Sequence, residues 1–266
     1  MPGSHARVRQ FLDIKRGRRP VVPGALAIEG LWSIRRAIDA SLRIDVLFVC
    51  PALLPGAAVT ELRAALGPET AWLEVSERDL RRMVDRDGPD GLAAIARQRP
   101  GRLADIEVHD RARVVVADRF DLAGNLGTLI RCADGAGATG VLVTDRRVRL
   151  EHPLVVRASM GTAFSVPVVD VGRPEALGWL RRRGFRIVAA DPAATVSYRD
   201  GRYGGRVAVV LGSERFGLGS FWKEAADVVV AIPMLGVGDS LNVGHAAALL
   251  LYEALHGTGD EGRWRP

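Results

Sequence analysis

Lysine is almost missing from this chain: Lys15 and Lys223 are the only two in 266 residues. Neither sits in a glycine-rich loop, which removes the phosphate-binding chemistry of a Walker A motif. Cysteine is scarce too. Cys50 and Cys132 lie far apart with no C-x-x-C, so neither a disulfide framework nor a thiolate zinc site is indicated, and no metal is expected. No apolar run approaches a membrane span, and the opening "MPGSHARVRQFLDIKRGRRP" carries basic residues without an apolar core of a signal peptide. The expected location is the cytoplasm. H-E-x-x-H and G-x-S-x-G are both absent.

What is present is an ordinary globular composition, 48% hydrophobic and 26% charged, long enough for one large domain or two modest ones. The charge is uneven. Residues 1–43 hold nine Arg and Lys against three acidic residues, an excess of six that equals the formal net charge of the whole chain. A basic segment on a neutral body suits contact with phosphate, and it also suits a merely solvated tail. On the first reading Arg7, Arg9, Lys15, Arg16, Arg18, Arg19, Arg35 and Arg36 are candidate contacts to the phosphates of a nucleic acid, joined by Arg157 further on.

Apolar periodicity gives two β/α segments. The first has strands at 25–30, 44–49 and 72–75, helices at 31–40, 59–66 and 77–84, and an apolar "GLAAIAR" at 91–97. The polar stretch "RQRPGRLADIEVHD" reads as a linker. It divides the chain into residues 1–105 and 106–266. The second segment alternates strands at 114–117, 140–144, 166–169, 185–190, 206–211 and 228–232 with helices from about 125, at 174–183, 218–225 and 241–255. The fold class expected is α/β, with a mostly parallel C-terminal sheet preceded by a smaller α/β domain. Two matches to G-x-G-x-x-G, "GAGATG" and "GTGDEG", follow helices, the reverse of the strand–turn–helix order of a dinucleotide site.

Loops after strands are where such a sheet binds its ligand. Three stand out in order: "NLGTLIRCADGAGA" after 114–117, "GSERFGLG" after 206–211, and "PMLGVGDSLNVGHAAALLLYEA" after 228–232. Together they resemble the three signature motifs of the SpoU (TrmH-like) branch of the SPOUT RNA methyltransferases, over about residues 112–256, with "RASMG" at 157–161 adding a further family stretch. "ALAIEGLWSIRRAI" resembles, more weakly, the opening of the ribosomal-protein-like substrate-binding domain that many members carry. The resemblance implies a deep C-terminal trefoil knot, S-adenosylmethionine as cofactor, and methyl transfer to a ribose 2′-hydroxyl, in large-subunit (23S) ribosomal RNA before transfer RNA. A self-protecting antibiotic-resistance methylase is a subtype, and a non-catalytic RNA-binding member is the alternative.

Carried onto this chain, the resemblance implies that Leu211, Gly212, Ile232, Met234 and Leu241 bracket the adenine, with Ser240 and Asn242 at the reacting edge. Arg131 would clamp the target phosphate, Asn125 would shape its loop, and Glu214 would orient Arg131 or the RNA. Each has a plain structural role open to it as well: Asn125 as a helix cap, Arg131 as a solvated residue, Glu214 as a first-turn acid, and Asp239 or Ser240 as the cap of the last helix. Gly244 should leave that helix loose, Cys132 should be a small core residue, and His245 a packed or interface residue. The helix at 241–255 is apolar on more than one face, which demands a partner. The resemblance makes that partner a second copy, in a homodimer through the knotted region.

Overall fold

The computed structural model describes residues 2–18, 23–54, 56–85, 88–213 and 215–258. By contact it divides into two units: residues 1–99 with 150–165, and residues 100–149 with 166–266.

In the first unit, α1 (Pro2–Lys15), β1 (Ala25–Glu29), α2 (Leu31–Asp39), β2 (Arg43–Val49), α3 (Gly56–Ala65), β3 (Ala71–Glu74), α4 (Glu77–Met83) and β4 (Leu92–Arg97) follow in order. The mixed sheet runs β1-β4-β2-β3. β4 pairs antiparallel with strands on both sides, and its "LAAIA" is buried on both faces. That is why it reads as a continuous apolar run without alternation. Alternate residues of β1 divide between two cores, Leu26 and Ile28 packing with Ile34 and Leu62, and Ala25 and Ala27 with Phe11, Leu80 and Met83. Ser76 caps α4 by accepting from the Asp79 amide at 3.1 Å.

The basic N-terminal segment is a helix, not a solvated arm. Phe11 and Ile14 of α1 are buried, and the Phe11 ring meets Phe48 edge-on at 5.7 Å. Lys15 is drawn inward: its ammonium lies 3.2 Å from Glu29 and 2.7 Å from Asp85, and donates to the Met83 carbonyl at 2.6 Å. This corrects its assignment as an RNA contact, because an ammonium with three internal partners has little left for a phosphate. Arg18 pairs with Asp13, Arg35 with Glu61 and Arg157 with Asp85, while Arg7, Arg9 and Arg16 are exposed on or just beyond α1. Arg36 lies over the Trp32 ring at 5.0 Å. Arg19 lies outside the described residues.

The second unit begins with β5 (Arg113–Asp118), α5 (Ala123–Gly135) and β6 (Gly140–Thr144). The chain then makes α6 (Pro153–Ala158), which belongs to the first unit, where Val156 and Phe164 join the core of Leu26 and Ile34. Residues 150–165, expected with the second segment, therefore pack with the first. A cut at residue 105 would strip these side chains of their neighbours. The second unit resumes with β7 (Val168–Asp170), α7 (Arg173–Arg182), β8 (Arg186–Ala190), β9 (Val196–Ser197), β10 (Val207–Leu211), α8 (Ser220–Ala225), β11 (Val228–Ala231) and α9 (Val243–Thr258). Its sheet runs β7-β6-β5-β10-β8-β11-β9 with every pairing parallel, so the strands share one carboxyl end.

A buried ion pair ties that end together. Asp118, fully buried at the end of β5, accepts from Arg173 Nε at 2.7 Å, from a second nitrogen of the same guanidinium at 2.9 Å, and from the Thr144 hydroxyl at 2.7 Å. Strands β5 and β6 and the start of α7 are thereby fixed to one carboxylate. Removing one partner leaves a buried, uncompensated charge. Arg173→Ala is expected to lower unfolding free energy by roughly 3 kcal/mol or more, measured by urea denaturation, with Arg173→Lys intermediate because one ammonium cannot replace the planar fork.

Candidate active site

Three stretches that follow strands meet the start of α9 around a cavity of about 500 Å³. That volume suits a small-molecule ligand. Apolar walls come from Leu211 and Leu218 around the β10 loop, Val230 of β11, and Ile232, Met234 and Leu241 beyond it. Asn125, Asp191, Asp239, Ser240 and Asn242 supply polar groups. The seven residues expected to hold a cofactor, Leu211, Gly212, Ile232, Met234, Ser240, Leu241 and Asn242, all line this one space.

The loop after β10 is folded tightly on itself. A side chain on Gly212 would begin 2.4 Å from the backbone of Gly217 and Leu218, so only glycine permits the approach. Across the turn the Gly217 amide donates to the Ser213 carbonyl at 2.8 Å, and Gly217 has the positive φ of 65° that closes it. The Ser213 hydroxyl accepts from the amides of Arg215 and Phe216, each at 3.2 Å, and donates to Asp121 at 2.9 Å. Glu214, at the centre of this loop, lies outside the described residues.

Asn242 is the hinge of the constellation. Its Oδ1 accepts from the Gly244 amide at 2.9 Å, and its Nδ2 donates to Asn125 Oδ1 at 3.2 Å. Because α9 begins at Val243, the cap is Asn242 and neither Asp239 nor Ser240. Ser240 instead donates to Asp239 at 3.1 Å. Asn125 is not a cap either: α5 starts at Ala123, and Asn125 stands in its first turn. Gly244 does the opposite of loosening its helix. A Cβ there would lie 2.8 Å from Thr128 Cγ2, so its absence lets α9 settle against α5.

Arg131 does not line the cavity. It stands six residues beyond Asn125 on α5, about 240° around the helix, exposed and paired with no carboxylate among the described residues. Beside it, Cys132 points its sulfur at the Gly244 carbonyl, 3.7 Å away. Burial pushes this thiol up from its ordinary pKa, with the Arg131 charge pulling the other way. His245 is exposed rather than packed.

Asp191, at the carboxyl end of β8, is a wall residue that sequence reasoning passed over. Burial pushes its carboxyl up, but the Lys223 ammonium and the Ala193 amide outweigh that and hold it below the usual carboxylate value. It is an anion at neutral pH. Its signal was available, since "DP" directly follows a strand in a sheet whose ligands sit at strand ends. Among the described residues no cluster of three or more His, Cys, Asp or Glu could hold a metal, and no helix is long and apolar enough to cross a membrane.

Residues 112–252 match the SpoU rRNA Methylase family, and residues 7–94 match the MRM3-like substrate binding domain. A 23S rRNA (uridine(2479)-2′-O)-methyltransferase of Streptomyces viridochromogenes is 29% identical over 255 residues, 94% of this chain and 83% of that protein. Among solved structures, an RNA 2′-O ribose methyltransferase is similar at 37% identity and a TM-score of 0.81, over 94% of this chain and 95% of the other. An rRNA methyltransferase from Sinorhizobium meliloti, solved with bound AdoMet, is similar at 29% identity and a TM-score of 0.84, over 94% of each chain.

The two bonds of Asn242 can be separated. Asn242→Ala loses both, and stability is expected to fall by about 1 kcal/mol, the usual worth of a helix cap. Asn242→Asp keeps an acceptor for the Gly244 amide, and its melting temperature should stay closer to that of the unaltered protein. Equal losses in calorimetry would show that the cap contributes nothing.

Proposed function

The chain belongs to the SpoU rRNA methylase family, and we propose that it transfers the methyl group of S-adenosylmethionine to a ribose 2′-hydroxyl of RNA, large-subunit ribosomal RNA before transfer RNA. The observation that carries this reading is the cavity at the carboxyl ends of β8, β10 and β11, walled by the residues that the family's second and third motifs supply. Its residues fit the cofactor. Apolar side chains of Leu211, Ile232, Met234 and Leu241 can flank an adenine, and the tight Gly212 turn presents backbone rather than side chain. The anionic Asp191 and Asp239 suit a ligand that carries positive charge. S-adenosylmethionine supplies a methyl group activated by a sulfonium. The loops after β10 and β11 are, on this reading, the threaded part of the knot.

The ribose hydroxyl must be held in line and must release its proton as the methyl arrives. Ser240 and Asn242 form the reacting edge, and Asn125, bonded to Asn242, fixes the orientation of that edge. Arg131 clamps the target phosphate and stabilises developing negative charge. A guanidinium stays protonated in proteins, so it is a clamp rather than a base. Glu214 orients Arg131 or the RNA. The first unit, matched by a substrate-binding domain and bearing exposed Arg7, Arg9 and Arg16, binds the RNA.

Arg131 reaches a cavity in a second copy. On α9, His245, Leu249 and Tyr252 form an exposed stripe, and the Tyr252 hydroxyl donates to the Gly135 carbonyl at 3.3 Å. Gly135 is one turn beyond Arg131 on α5, so this exposed stripe runs beside the arginine. Pairing two copies through that stripe brings the Arg131 of each toward the cofactor loops of the other.

Light scattering at micromolar concentration is expected to give a dimer. Arg131→Ala should keep S-adenosylmethionine affinity within a few-fold while cutting transfer by roughly 100-fold or more. Mixing Arg131→Ala with Asn242→Ala, each nearly inactive alone, should restore activity, because the mixed dimer holds one intact site. A monomer, or a mixture with no recovery, contradicts the shared site. Retention of tritium from labelled S-adenosylmethionine as a 2′-O-methyl nucleoside tests the reaction itself. Label on a base would overturn it.

A further inference from the structure

A bare aromatic ring stands at the mouth of the cavity. Phe216 is 66% exposed, although its neighbours Arg215 and Gly217 both line the cavity wall. The turn that carries it is hydrogen-bonded, with the Phe216 and Arg215 amides both given to Ser213 Oγ and the Gly217 amide to the Ser213 carbonyl. A large apolar side chain on this turn is thus exposed to solvent beside the cavity.

Two guanidiniums accompany it. The Arg215 Cζ lies 5.4 Å from the ring centroid and the Arg119 Cζ 6.0 Å. Arg119 is itself anchored at the end of β5, where its amide donates to the Thr144 carbonyl at 2.9 Å and its Nε lies 3.4 Å from Asp145. Its φ of 57° is unusual for a residue with a side chain. An exposed aromatic ring with two guanidiniums beside it brings together the groups by which unstacked RNA is held, a base stacking on the ring and phosphates meeting the guanidiniums. An apolar protein partner would gain nothing from the two charges.

We propose that Phe216, flanked by Arg119 and Arg215, is the platform on which a nucleobase of the RNA stacks, at or next to the nucleotide whose ribose is modified. This rests on the reading of RNA as substrate. Stacking on a positioned ring turns the nucleotide out of its own strand and fixes its ribose against the Ser240–Asn242 edge. Phe216 is thereby a substrate-contacting residue that acts on RNA binding and not on the cofactor.

The test is steady-state methyl transfer to a large-subunit ribosomal RNA transcript, at saturating S-adenosylmethionine, by Phe216→Ala, Phe216→Leu and Phe216→Trp. Ala and Leu are expected to raise the RNA KM roughly 5-fold to 100-fold, the range for losing one base–aromatic stack. Trp should stay within about twofold of the unaltered protein, since it keeps a stacking face. Cofactor affinity by calorimetry should be the same in all four, which also reports that each is folded. Unchanged KM in the Ala variant, or full function in the Leu variant, overturns the proposal. Should the unaltered protein methylate no RNA, the parent reading fails before any variant is compared. The platform is then judged by fluorescence of a single-stranded RNA containing 2-aminopurine: quenching by the protein and not by Phe216→Ala supports it, and equal quenching by both refutes it.

Discussion

Everything in the C-terminal unit that could do chemistry hangs on how closely α9 approaches α5. The contact is made where Gly244 lies against Thr128, with no room for a side chain between them. Two residues before Gly244, Asn242 reaches across to Asn125 and also caps α9. The same few atoms thus end the last loop, start the last helix and join the first motif to the third. A shift of α9 away from α5 by the width of a methyl group would break the Asn242–Asn125 hydrogen bond and open the wall formed by Leu241, Val243 and Ala246. The all-parallel sheet makes this possible by delivering β5, β8, β10 and β11 to one edge, and the Asp118–Arg173 pair holds that edge at β5 and α7.

The parallel sheet was legible in the sequence because its strands are buried on both faces and read as short Val- and Ala-rich runs between helical repeats. The position of the site followed from it, since ligands of such sheets lie at strand ends. Other features were hidden for physical reasons. The helix α1 packs Val8, Phe11, Leu12 and Ile14 into the first unit, a short stripe interrupted in the sequence by Arg9, Gln10 and Asp13. Residues 150–165 lie in the middle of the second segment yet pack with the first, a long-range choice that no local pattern encodes. The cap fell on Asn242 rather than Ser240 or Asp239 because a helix start is fixed by which residue can reach an amide two residues on, and three polar residues within positions 239–242 were eligible. Asp191 belongs to none of the three motif loops, and only its place just after β8 marks it.

Net charge was a poorer guide than the fate of each cation. The excess of basic residues in the first 43 positions is real, but Lys15 is engaged inside the first unit, and Arg18 and Arg35 pair with Asp13 and Glu61. Arginines on exposed α1 positions, and those beside the cavity at Arg119 and Arg215, have more to offer a phosphate. An arginine-rich, lysine-poor surface also favours planar recognition, by two-point contact with phosphate and by stacking, over diffuse attraction.

The central claim is that the cavity between the β8, β10 and β11 loops is built for S-adenosylmethionine. Differential scanning calorimetry of the full chain, with S-adenosylmethionine or NAD added in turn, is the sharpest test, because a ligand that binds the native state stabilises it by RT ln(1 + [L]/Kd), a rise that continues beyond saturation. The account predicts a concentration-dependent rise with S-adenosylmethionine and none with NAD. No rise with S-adenosylmethionine at millimolar concentration, or a larger one with NAD, would contradict it.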